Sequence, residues 1–249
     1  MTGRYLFTTA TSPEEGDRHS DVAVLPVGSF EQHGPHLPLI TDTVIACVIA
    51  GALAQSYDLH LLAPIAFSCS HEHAAFPGTV SISPTTLAAV VTDVLSEVAR
   101  AGIDYLVIVN AHGGNYVLSN VVQQANMTRR RALLFPGSAD WNAARVAAGC
   151  INNAHDDMHA GEAETSILLH VAPDLVGEGW AENDWQAPTR PYLNLLGVQG
   201  YSPTGVIGSP SLATREKGRL LLGALVDIFD PPLKLLRAGS PSPGNLPTG

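Results

Sequence analysis

Short apolar runs alternate along the chain with longer windows whose apolar residues recur every three or four positions, the pattern of strands feeding helices. Residues 21–28 (DVAVLPVG) read as a buried strand, and residues 43–57 (TVIACVIAGALAQSY) as a helix with Thr41 or Asp42 at its N-cap. A second strand is expected over 59–65 (LHLLAPI), followed by a polar loop over 68–78. Ser83 and Pro84 supply a cap and a first-turn proline for a helix that runs to Arg100 and stops at Gly102. Residues 104–110 (DYLVIVN) are apolar nearly throughout, which predicts a central parallel strand. Helices are expected over 116–127, 139–148 and 162–170, with a strand at 131–135. Beyond Asp174, proline and glycine break the pattern as far as Pro210, and a last helix follows over about 213–229. The closing stretch SPSPGNLPTG reads as a frayed tail within a flexible end at about 238–249.

Neither an internal repeat nor a linker divides this pattern. The 249 residues therefore predict one α/β domain over 1–249, with a core at about 21–230 and helices on both faces of a mostly parallel sheet. Apolar residues make up 45% and charged residues 14%, ample for a buried core and unlike a disordered chain. With 23 acidic against 13 basic residues the net charge is -10, and the one basic run is Arg129-Arg130-Arg131. That balance argues against nucleic acid and against anionic membrane as partners. Three cysteines (Cys47, Cys69, Cys150) lack CxxC spacing and cannot all pair, which fits a reducing compartment. No basic, apolar leader opens the sequence and no apolar run is long enough to span a bilayer, so the expected address is cytoplasmic.

Chemistry gathers where strands end, the place ligands collect in parallel α/β sheets. EQHGPH follows the first strand and NAHGGN follows the strand at 104–110. Glu31 and His33 are two apart and point the same way in extended chain, Asp42 stands at the next helix start, and His112 lies two residues past its strand. His159 and Glu164 belong to HAGEAET, and Glu162 competes with Glu164 for any role at that helix start. Neutral imidazoles with carboxylates are the donor set for zinc, manganese or iron(II), and one aspartate has oxygens for two ions. Blander readings exist: Asp42 as a helix cap, His36 as a supporting hydrogen-bonder, His60 and His170 as ordinary packed histidines. Gly113-Gly114 after His112 lets backbone approach a ligand. The spacing is neither GxGxxG nor GxSxG, so water activated by a metal is the expected nucleophile.

The blocks LPVGSFEQHGPHLPLITD, FPGTVSIS, NAHGGN, HAGEAETS and GVIGSPSLATREKG, in that order over about 24–228, resemble the creatininase family of metal-dependent amidohydrolases. The resemblance implies a single-domain three-layer α/β/α sandwich, assembly as a homo-oligomer (commonly a hexamer), and two divalent ions per subunit, zinc or manganese with iron as an option. Family activities include opening creatinine to creatine, deformylating a pyrimidine intermediate, and trimming the mycofactocin precursor peptide. Carried over by position, Glu31 and His33 match ligands of different ions, Asp42 their bridge, and His112 the histidine of the HGGN-like block. Gly114 stands where creatininase proper has a ligating glutamate, and Glu164 is expected to fill that place. His159 matches the proton-handling histidine, while Ser70, His73, Gly113 and Gly114 are expected substrate contacts. Gly113 replaces a substrate-contacting tyrosine, and the HGGN and SHEH segments point towards the mycofactocin peptidase branch, although SFEQHGPHLPLITD departs from its usual form. The expected function is hydrolysis of a C–N bond in a small cyclic amide, formamide or short peptide; the rivals are a non-catalytic metal binder and an isomerase or lyase that stabilises an enolate.

Overall fold

A computed structural model describes residues 8–238; the closing stretch from Ser240 lies outside them. In chain order the helices and strands are α1 (Ser12–Arg18), β1 (Val22–Val27), α2 (Thr41–Tyr57), β2 (His60–Leu61), α3 (Pro84–Arg100), β3 (Tyr105–Asn110), α4 (Val117–Ala125), β4 (Ala132–Phe135), α5 (Ser138–Ala147), α6 (Glu162–Val171), α7 (Leu193–Leu196), α8 (Arg215–Ile228) and α9 (Asp230–Arg237). The four strands form one parallel sheet in the order β2-β1-β3-β4.

Apolarity on both faces dictates which strands lie inside. All six residues of β1 are buried, as are the four central residues of β3. Because successive side chains alternate across a strand, Val22, Val24, Val107 and Val109 face one way, packed with α2, α5, α6, α8 and α9. Ala23, Leu25, Val27, Leu106 and Ile108 face the other, against Leu87, Val91, Leu95 and Val98 of α3 and Leu118 of α4. The result is the expected three-layer sandwich.

Several boundaries differ from the sequence reading. The second strand shrinks to His60–Leu61 because Pro64 has no N–H for the ladder; past it, only Leu62 and Ile65 still donate to β1, at 2.9 Å each. Asp42 is not a cap: α2 begins at Thr41, and Asp42 sits in its first turn, 1% exposed. Three helices were not expected: α1, the single turn α7 and α9. In α1 the Glu14 carboxylate accepts from Thr11 N at 2.6 Å, and in α9 two prolines occupy the first turn, where a missing N–H costs nothing.

Register positions the site. Val27 pairs with Asn110, so the loops that follow β1 and β3 leave from neighbouring strand ends. A Cβ at Gly28 would lie 2.3 Å from Thr43 N, so only glycine lets the start of α2 press against the exit of β1.

Candidate metal centre

Glu31, His33, Asp42, His112 and His159 converge above those strand ends, each almost wholly buried. Asp42 lies between two imidazoles, Oδ1 at 3.0 Å from His33 Nε2 and Oδ2 at 3.1 Å from His112 Nδ1. Glu31 Oε1 lies 3.2 Å from His112 Nδ1 and 3.7 Å from His159 Nδ1. Glu164 Oε2 reaches to 4.0 Å from His33 Nε2. Three sets have ligand atoms close enough to share an ion: Glu31–Asp42–His112, His33–Asp42–Glu164 and Glu31–His33–His159. The first two share Asp42, the arrangement of two adjacent cation positions with one bridging carboxylate.

Backbone carbonyls fix the rings. His33 Nδ1 faces Glu31 O at 3.1 Å, His112 Nε2 faces Cys69 O at 2.7 Å, and His159 Nε2 faces Gln32 O at 2.6 Å. A carbonyl only accepts, so those nitrogens carry protons, and the opposite nitrogens are the ones that face the carboxylates. His73 is set the other way. Its Nδ1 accepts from Gln32 Nε2 at 2.7 Å, so its Nε2 carries the proton; that nitrogen lies 3.3 Å from Glu31 Oε1 without the geometry of a hydrogen bond.

Electrostatics show what the cluster lacks. Burial penalises the carboxylate of Asp42, yet His33 and His112 hold it well below its usual range. Burial likewise opposes the charged form of His33, but Asp42 outweighs it and lifts the ring to about 9. Burial and the neighbouring His33 and His73 drive His159 well below its normal value, leaving it neutral. Burial pushes Glu164 up to about 7. Both carboxylate oxygens of Glu31 are buried without a hydrogen-bond partner. An orphaned buried carboxylate beside the ring nitrogens of His112 and His159 fits a bound cation.

The remaining candidates separate. Gly113, Gly114 and His73 line a cavity of about 130 Å³ with Asp42, His112, His159 and Glu164. Ser70 is buried at the edge of the 3-10 turn His71–His73 and does not line the cavity. His36 stays off the cluster, with Nε2 3.3 Å from Thr165 Oγ1. Glu162 is turned away: its carboxylate accepts from Ile151 N and Asn152 N and pairs with Lys217 at 2.5 Å.

Sequence reading missed the scaffold beneath the site. Asp157 is a buried hub, accepting from Arg145 Nη1 at 2.6 Å, from Glu162 N at 2.5 Å and from Ala163 N at 3.0 Å. It thereby grips the start of α6 between His159 and Glu164, where Ala160 adopts a left-handed φ of 53°. Asn115 ties the loops after β2 and β3, accepting from Cys69 N at 3.1 Å and donating to Asn110 Oδ1 at 2.9 Å. Both asparagines stand in the NAHGGN block, the one sequence signal for them.

A parallel α/β sandwich with buried carboxylates and imidazoles at its strand ends defines a class of hydrolases that work with metal ions. The chain belongs to the creatininase family: the family profile, described as creatinine amidohydrolase, matches residues 8–229. A mycofactocin precursor peptide peptidase of Mycobacterium ulcerans is 39% identical over 217 residues, covering 82% of this chain and 81% of the relative. A creatinine amidohydrolase of Pseudomonas putida is 28% identical over 226 residues, covering 82% and 85%. A solved creatinine amidohydrolase superposes with a TM-score of 0.79 at 25% identity, covering 96% of this chain and all of the other. The protein is accordingly a creatininase-family amidohydrolase.

Proposed function

We propose that this protein hydrolyses an amide C–N bond in a short peptide, using two divalent ions held by Glu31, Asp42 and His112 on one side and by His33, Asp42 and Glu164 on the other. The observation that carries the proposal is the Glu31 carboxylate, fully buried with neither oxygen hydrogen-bonded. Such a group is costly to keep unless a cation compensates it. Zinc or manganese is the proposed ion, and solved creatininases of this fold are described as manganese and zinc–zinc forms. When bound, such ions polarise an amide carbonyl and lower the pKa of water at the site.

The chain's own groups do the rest. His159, neutral and held through Nε2 by Gln32 O, presents Nδ1 to the same space, where it takes the proton the attacking water gives up and passes it to the departing nitrogen. Gly113 and Gly114 line the cavity, and in this proposal their N–H groups stabilise charge developing on the carbonyl oxygen. His73 sets its protonated Nε2 beside Glu31 and orients what binds there. A peptide is favoured over a cyclic amide by the higher identity to the peptidase, 39% against 28% for the creatinine amidohydrolase. A reducing, cytoplasmic setting and a homo-oligomeric assembly belong to the same proposal; three free cysteines support the first, and family membership supports the second.

The test incubates zinc- or manganese-loaded protein with short peptide amides in 18O-water and reads products by mass spectrometry. One solvent oxygen in the new carboxylate, lost on chelation and regained on reloading, is expected. Turnover of creatinine with none of peptides would move the substrate assignment, and turnover of peptides by the fully chelated protein would refute the metal role.

A further inference from the structure

Two divalent ions would bring four positive charges against the three carboxylates Glu31, Asp42 and Glu164, so the proposed centre accounts for those three. A fourth carboxylate lines the same cavity and belongs to none of the three donor sets: Glu72, in the 3-10 turn His71–His73. Its side chain is 18% exposed, and Oε1 lies 3.6 Å from His112 Nε2, beyond hydrogen-bond reach. That ring N–H is already donated to Cys69 O at 2.7 Å. Among the described residues, no other residue donates a hydrogen bond to this carboxylate. A largely buried carboxylate served only by its own backbone N–H has acceptor capacity left for something entering from the cavity.

The fold makes room for it there. A Cβ at Gly114 would lie 2.1 Å from Glu72 Oε1 and 2.4 Å from His112 Nε2. Glycine at this position and the carboxylate of Glu72 are therefore steric complements: any side chain on residue 114 would push Glu72 off the cavity wall. The cavity, about 130 Å³, is small enough to bring whatever Glu72 binds close to the reacting carbonyl.

Resting on the two-ion reading above, we infer that Glu72 is a specificity-determining residue that accepts a charge-assisted hydrogen bond from an ammonium group of the substrate, next to the amide being cleaved. The ammonium offers up to three donors, and the Glu72 charge at the rim, which belongs to none of the donor sets, favours a cation over a neutral group there. An N-acetylated substrate, which lacks that charge, is the discriminated analogue.

The experiment titrates alanyl-alanine amide and its N-acetyl derivative into zinc-loaded protein by calorimetry, with zinc content measured on the same samples. Wild type is expected to bind the free amine roughly 10- to 100-fold more tightly, the worth of one hydrogen bond to a charged group. Glu72→Gln abolishes the preference without changing zinc content, and Glu72→Asp restores part of it. A preference that survives in Glu72→Gln, or none in the zinc-loaded wild type, overturns the inference. So does loss of zinc from Glu72→Gln, which would make Glu72 a support for the ion. No zinc uptake by wild type would overturn the functional reading and this inference together, whereas absent hydrolysis with an intact binding preference counts against the functional reading alone.

Discussion

Asp157→Asn tests how the start of α6 is held. The carboxylate is 1% exposed and its partner guanidinium 10% exposed, with 2.6 Å between Arg145 Nη1 and Asp157 Oδ2. Asparagine keeps the shape but removes the charge, and its amide NH2 meets donors where an acceptor stood, either Arg145 Nη1 and Ala163 N together or Glu162 N. Removing one partner of a buried pair strands the other, at about 3–5 kcal/mol. For a chain of this size each kcal/mol moves the midpoint by ~2–4 °C, so the thermal midpoint should fall by roughly 6–20 °C. The assay is thermal unfolding followed by circular dichroism on chelated protein, so that ion binding adds nothing to the folded state. Arg145→Met leaves the carboxylate still accepting from Glu162 N and Ala163 N, and should cost less. A midpoint within about 2 °C of wild type for Asp157→Asn, by the same conversion, would refute the claim that this pair clamps the helix.

Three further outcomes are expected. Glu164→Gln should weaken metal binding by at least about 100-fold, the upper end of what even an outer supporting residue costs, whereas Glu162→Gln should keep the metal and lower the thermal midpoint; equilibrium dialysis with unfolding scans separates the two. His159→Ala should retain the metal and lose about 10²- to 10⁴-fold in kcat, as expected for a group that transfers a proton; unchanged turnover would remove it from that role. Burial pushes the Cys47 thiol up to about 12 and the Cys150 thiol up to about 11, so both should resist alkylation at pH 8 until the chain unfolds. Because these folded values exceed those of the unfolded thiols, their contribution to stability is complete below about pH 8.5 and is lost as pH rises through 11 and 12; a chemical-denaturation series flat from pH 8 to 11 would contradict it.

The sheet was legible where physics is one-dimensional. The strands β1 and β3 are apolar on both faces, and no other element of a parallel sandwich carries that pattern over so few residues. α9 was not, because its double proline looks like a helix stop, while its first-turn placement makes it a start. In the candidate site, Glu31, His33, Asp42, His112, His159 and Glu164 announced themselves by lying just past strands or at helix starts, and the structure brings them together. What could not be read was who satisfies whom. Glu162 and Glu164 share a helix turn, and what parts them is that Ile151 N, Asn152 N and Lys217, 55 positions on, hold the first. Ser70 and His73 shared a loop, yet only His73 faces the cavity. Glu72 gave no signal because its setting depends on the empty side of Gly114, which is defined only in three dimensions.

Metal analysis of the purified, reloaded and desalted protein is the most direct test of the two-ion centre. Inductively coupled plasma mass spectrometry should find two zinc or manganese ions per chain in wild type and in His159→Ala, with one or none in Glu31→Gln, whose missing charge leaves the Glu31–Asp42–His112 set incomplete. Wild type that retains no ion, or Glu31→Gln that retains as many as wild type, would contradict the account.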